Sequence, residues 1–92
     1  METAEISRHQ VAMYLFVKGA KGWVTSRDIE EGAGVCGSSA RHFAKKLVDM
    51  GIFDVAEVFP GHRYRLSSLA SKRNKSMVVR FETAASVFGM DE

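Results

Sequence analysis

The apolar positions of this chain follow a helical period for its first fifty residues, switch to an alternating one, and then return to the helical one. In the first stretch Ile6, Gln10, Met13, Tyr14 and Val17 mark one helical face, and Val11, Leu15 and Val17 mark a neighbouring one. So wide a stripe predicts a helix buried on more than one side. Ser7 and Gln10 have the spacing of a capping box, with Thr3 as an alternative start, and Lys18-Gly19 provides a cation and a glycine to end it. Residues 1–5 either fray or extend this helix. Residues 23–25 predict a brief strand, after which Thr25 or Ser26 caps a second helix over 27–31, with Ile29 facing the core and Asp28, Glu30 and Glu31 near its positive end. Gly32, Ala33 and Gly34 break it, Gly34 standing where a tight turn needs positive φ, and Val35 plugs the turn. A third helix over 38–50 then carries Ala40, Phe43, Ala44 and Leu47 on one face. Cys36, Gly37 or Ser38 caps it, and Gly51 stops it in a left-handed conformation.

The period then shortens to two. In 52–58, Phe53 and Val55 point one way and Asp54 and Ala56 the other. Phe59-Pro60-Gly61-His62 has the type II signature, Pro at the second turn position and Gly at the third. On the return strand Tyr64 and Leu66 face inward while Arg63 and Arg65 face out. Residues 67–75 are polar and basic, a loop or the start of a helix. A last helix over 76–88, capped at Asn74 or Ser76 and stopped by Gly89, carries Met77, Val78, Phe81, Ala84, Ala85 and Phe88 as its apolar positions.

Ninety-two residues allow one domain with a modest core. The net charge of +2 says little by itself, but its distribution is uneven: residues 1–35 are net −1, residues 36–80 net +6 and residues 81–92 net −3. The cations therefore gather on the third helix, the hairpin and the basic segment behind it, the footprint of a polyanion-binding face; the competing reading is an ordinary solvated surface. One cysteine, Cys36, makes no internal disulfide, and no segment is apolar enough for a bilayer span or signal peptide. A reducing, cytoplasmic location is expected.

Catalytic sets are missing from the pattern. His9, His42 and His62 are scattered without acidic or thiol partners at ligand spacing, and Cys36 with His42 six residues later makes no motif. No glycine-rich loop precedes a Lys-Ser/Thr pair. Neither enzymatic activity nor a cofactor or metal is expected.

Binding chemistry is concentrated on the polar face of the third helix. Ser38 and Ser39 at its amino end suit phosphates or base edges, aided by free backbone N–H groups. Arg41 can take guanine O6 and N7 as a bidentate pair, His42 can donate or accept at a base edge, and Lys45 and Lys46 reach phosphates. On the hairpin, His62, Arg63 and Arg65 suit the minor groove or its phosphates; alternatively they blunt an exposed strand edge. Thr25, Ser26 and Arg27 open the second helix, where they serve a backbone contact or only a cap.

The run VTSRDIEEGAGVCGSSARHFAKKLVDMGIFDVAEVFPGHRYRL resembles the bacterial winged helix-turn-helix DNA-binding domains of small regulators: second helix, Gly-Val turn, Ser-rich entry, basic third helix ending in Gly-Ile, then a wing. The resemblance implies a mainly α fold with a small β-hairpin, a winged helix-turn-helix, here with an extra C-terminal helix. It divides the chain into a winged domain over 1–70 and a helical extension over 71–92. It also implies sequence-specific binding of double-stranded DNA by a nucleoid-associated transcriptional regulator, or a plasmid or phage partition or replication accessory factor. The alternative is a winged-helix module that docks a larger protein partner without touching DNA. Two positions depart from the pattern. Gly37 stands where a longer polar residue is common, and Ala44 where a larger aliphatic is common, so that Phe43 or Trp23 is expected to fill the core nearby.

The last helix is expected to dimerise the protein. Met77, Val78, Phe81, Ala85 and Phe88 share one side, and left exposed they form a patch that monomers avoid. The competing reading folds this helix back on the first one to complete a monomer's core. A two-fold pair would read two half-sites.

Overall fold

The computed structural model describes residues 7–58 and 61–89. Helix α1 (Arg8–Ala20) opens on the expected capping box: Gln10 N–H donates to Ser7 Oγ at 3.2 Å, and Ser7 N–H donates to Gln10 Oε1 at 3.1 Å. Such a cap contributes about 1 kcal/mol. The helix buries Val11, Met13, Tyr14 and Val17, and it packs against α2 (Ser26–Ala33), α3 (Gly37–Asp49), β3 (Gly61–Leu66) and α5 (Lys75–Val87). That explains the width of its apolar stripe. It does not stop at Gly19. It runs on to Ala20, and Lys21 takes the left-handed capping conformation at φ 57°. The reversal is delayed because the chain must enter β1 (Val24–Thr25) in register with Tyr64 and Arg63 of β3.

Thr25 caps α2 with a second capping box, its hydroxyl accepting from Asp28 N–H while the Asp28 carboxylate accepts from Thr25 N–H. This helix extends past the expected Glu31 because Gly32 and Ala33 continue it. The left-handed break comes at Gly34, φ 72°. Val35 is buried behind the turn, and α3 begins one residue ahead of the expected position, with Cys36 as cap. Ala40, Ala44 and Leu47 are fully buried, and Gly51 turns the chain at φ 83°.

Strand β2 (Phe53–Val58) pairs antiparallel with β3, which pairs in turn with β1, giving a three-stranded sheet in the order β1-β3-β2. The register opposes Val55 to Tyr64 and Asp54 to Arg65. Val24, Phe53 and Tyr64 are buried on the inner face, so the expected alternation holds. The turn expected around Phe59 and Pro60 lies outside the described residues, as do residues 1–6 with the alternative start at Thr3 and the stripe position Ile6.

The basic segment after the hairpin forms a short helix, α4 (Ala70–Arg73), before Asn74 caps α5 by accepting from Met77 N–H. Helix α5 lies against α1. Phe81 and Ala85 are fully buried and Met77 nearly so, and Phe81 stacks on Tyr14 with ring centroids 5.1 Å apart. The side of α5 carrying Met77, Phe81 and Ala85 is therefore occupied within the chain, and these residues belong to the same core as Ile29 and Leu47. Val78 is half-buried, while Phe88, Val87 and Val79 remain exposed. Tyr14 Oη donates to Glu82 at 2.8 Å and Lys18 Nζ lies 2.6 Å from the same oxygen. The ammonium and then the phenol hold the Glu82 carboxyl below its ordinary range, and burial pushes the Tyr14 phenol up.

Candidate nucleic-acid interface

At 100° per residue, the buried positions of α3 leave Ser38, His42, Lys45 and Asp49 as its central outward row. Arg41 flanks that row on the hairpin side, and Ser39 and Lys46 flank it on the other. The hairpin leans over the Arg41 side and leaves a cleft of about 570 Å3 between them. Ser26 from the start of α2, Arg41 and Lys45 from α3, and His62 from β3 all line it, over an apolar floor of Val48, Val55 and the buried Tyr64. Burial raises the Tyr64 phenol above its ordinary range, and the nearby Arg41 guanidinium only partly offsets this.

Four of the expected site residues are thus brought together by three elements that are far apart in sequence. Two acids join them. Asp49 sits one turn beyond Lys45, its carboxylate 3.5 Å from Lys45 Nζ, and Glu57 faces His62 across the hairpin at 3.9 Å. Both pairs are well exposed, so each contributes little to stability. Asp49 and Glu57 were absent from the sequence-derived site. The four-residue spacing of Lys45 and Asp49 carried the first signal, and the cross-strand register of Glu57 and His62 carried the second.

The remaining expected residues lie outside the cleft. Ser38 and Ser39 surround Cys36: their hydroxyl oxygens lie 3.8 and 3.2 Å from its Sγ. The Ser39 hydroxyl, then the Ser39 backbone N–H and the Ser38 hydroxyl, lower the exposed Cys36 thiol to about 7. His42 and Lys46 are exposed on α3, His42 with its ring 5.3 Å from that of Phe43. Thr25 is committed to its cap, and Arg27 Nε reaches Glu31 at 3.3 Å. The three hairpin residues separate. His62 shares the cleft-facing side with Tyr64, whereas Arg63 and Arg65 alternate onto the opposite face. There Arg65 donates to Asp54 at 3.2 Å and lies over the Trp23 ring at 4.5 Å.

At the first departure from the winged pattern, a Cβ on Gly37 would meet the Glu30 carboxylate, 2.8 Å from its Oε2, the movable end of a flexible side chain, so nothing in the structure demands glycine there. Ala44 is flanked by Phe43, which packs against the core. Trp23 does not fill that space, since it is 42% exposed and stacked with Arg65 outside the sheet.

Among the described residues no three of the His, Cys, Asp and Glu side chains converge as metal ligands, and no helix is long and apolar enough to cross a membrane.

No protein-family model and no curated protein matches this sequence. Solved structures do. The chain is similar to the ST1889 protein of the thermoacidophilic archaeon Sulfolobus tokodaii at 17% identity, over 91% of this chain and 84% of that one, with a TM-score of 0.67. It is similar to BpsR of Bordetella bronchiseptica, whose DNA binding is regulated by 6-hydroxynicotinic acid, at 12% identity over 94% of this chain, with a TM-score of 0.66; it spans 62% of the BpsR chain. It is also similar to Sso10a-2, a DNA-binding protein of Sulfolobus solfataricus, at 11% identity over 87% of this chain and 84% of that one, with a TM-score of 0.61. The fold is a winged helix-turn-helix carrying an additional C-terminal helix.

Proposed function

We propose that this chain binds double-stranded DNA, with α3 in the major groove and the hairpin as wing, and that it acts as a transcriptional regulator. The observation that carries the reading is the convergence of Ser26, Arg41, Lys45 and His62 on one cleft beside the outward row of α3. In that arrangement Arg41 and His42 read base edges, while Lys45, Ser26 and the α2 amino end hold phosphates. Lys45 and His62 exchange Asp49 and Glu57 for phosphate oxygens on binding. The DNA-binding character of Sso10a-2 and BpsR supports the same reading.

The protein acts as a homodimer in this proposal. Because Met77, Phe81 and Ala85 already face α1, a second copy would meet the part of α5 left uncovered, where Val79, Val87 and the terminal Phe88 are exposed beside Thr83 and Ala84.

Selection of bound duplexes from a random pool, followed by a salt titration on the winner, tests the reading. A recurring sequence is expected, palindromic if the dimer reads it, with affinity falling steeply as salt rises. No enrichment and no salt-dependent binding would instead leave a winged-helix module that docks a protein partner.

A further inference from the structure

We infer that the outer face of the sheet, together with α4, is a second phosphate-contact surface that takes a separate DNA duplex from the one held at α3. This rests on the DNA-binding reading above. The hairpin has two chemically different sides. Its inner side, with Val55, Glu57, His62 and Tyr64, lines the α3 cleft, where Arg41 and Lys45 are opposed by Asp49 and Glu57. Its outer side presents Arg63 and Arg65 and is continued by Arg73 of α4, which donates to Asp54 at 3.4 Å. Asp54 is one half-buried carboxylate shared by two guanidiniums, Arg65 and Arg73. Lys72 and Lys75 are exposed on the same segment as Arg73, which has no acid between Ser67 and Phe81. Among the described residues Arg63, Lys72 and Lys75 have no carboxylate partner.

Most of the positive excess carried by residues 36–80 therefore lies away from the cleft. The surface is also preorganised: Arg65 is held between Asp54 and the Trp23 ring, so little side-chain freedom remains to be lost on binding. Its chemistry is guanidinium and ammonium with a single exposed aromatic, which matches a phosphate backbone better than the apolar centre of a protein interface. The α3 cleft and this surface lie on opposite faces of the hairpin, so a second duplex is the complementary polyanion that fits this surface in the proposal.

The test is capture of a labelled short duplex by full-length protein already bound to an immobilised duplex, with affinity for a single free duplex measured in parallel. The comparison is between the parent and a Lys72→Ala/Arg73→Ala variant. Capture by the parent is expected, with about a tenfold loss in the variant, while single-duplex affinity changes by less than about twofold. The inference is overturned if the parent binds one duplex and captures no second. It is also overturned if the variant captures like the parent, since bridging then comes from two α3 sites of a dimer. Equal loss of both activities would make this surface part of the first contact and overturn it too. A parent that binds no duplex at all would instead sink the DNA-binding reading itself.

Discussion

Helices α3 and α5 are both 13 residues long, and both bury a narrow stripe, yet they end as different objects. The inner stripe of α3 is made mostly of small residues, Ala40 and Ala44 with Leu47, so α3 sits close against its neighbours and turns its long polar side chains outward. The inner stripe of α5 is large, with Met77 and Phe81, and Phe81 stacks on Tyr14 while Glu82 ties the same helix to Tyr14 and Lys18. Its outward side mixes exposed Val79 and Val87 with Lys75, Thr83 and Ser86, and Phe88 is exposed at its end. A small inner stripe on α3 leaves the surface chemistry to its long side chains, whereas large inner residues make α5 a structural member of the core.

The sharpest way to break this comparison is Phe81→Ala. Loss of a fully buried phenyl and its stack should lower stability by about 3–5 kcal/mol, read from the midpoint of a chemical denaturation curve. Removing residues 76–92 would cost more still, because it strips Phe81 and Ala85 from the shared core. That truncation therefore should not leave a folded winged domain, and a folded fragment would show that α5 is dispensable. Arg41→Ala should leave the denaturation midpoint unchanged and weaken binding to the selected duplex by about 1–3 kcal/mol, with relaxed preference at one base pair. Equal affinity for parent and variant would remove α3 from the reading role. Replacing Val87 and Phe88 with Ser should leave the fold intact and shift a dimer to monomer in sedimentation. An unchanged sedimentation coefficient from a dimeric parent would put the interface elsewhere.

The smallest effect concerns pH. Glu82 is held below its ordinary range, so its contribution is complete above an unfolded value of about 4.3 and is lost as pH falls through the depressed folded-state value. Denaturation of the parent against Glu82→Gln should show a difference at neutral pH that closes in acid. A constant difference across that range would mean that packing of Glu82, and not its charge, is what counts.

Periodicity, caps and turn glycines made most of the fold legible: Ser7, Thr25, Asn74, Gly34 and Gly51 act as their positions imply. The end of α1 was not legible, because strand pairing of Val24 with Tyr64 outweighs the local preference for glycine over Lys21. The candidate interface was legible by residue type but not by grouping. The alternation of the return strand already placed Arg63 and Arg65 outward; what it did not reveal is that His62, on the other side, meets Ser26, Arg41 and Lys45 at one cleft. The face of α5 that docks was equally hidden, since an apolar stripe does not say whether α1 or a second copy will cover it.

Gly32 carries a consequence beyond its own turn of helix. Any Cβ there would overlap the Phe16 ring, which rests where a side chain would otherwise be. Glycine inside a helix gives up about 1 kcal/mol relative to alanine, and here that concession lets α1 and α2 touch ring to backbone. Ser26 stands at the other end of the same short helix, on the edge of the cleft. A methyl group added at position 32 must displace the Phe16 ring. Where the ring does not yield, α2 would have to shift and carry Ser26 relative to Arg41, a change at the cleft from a residue that does not line it.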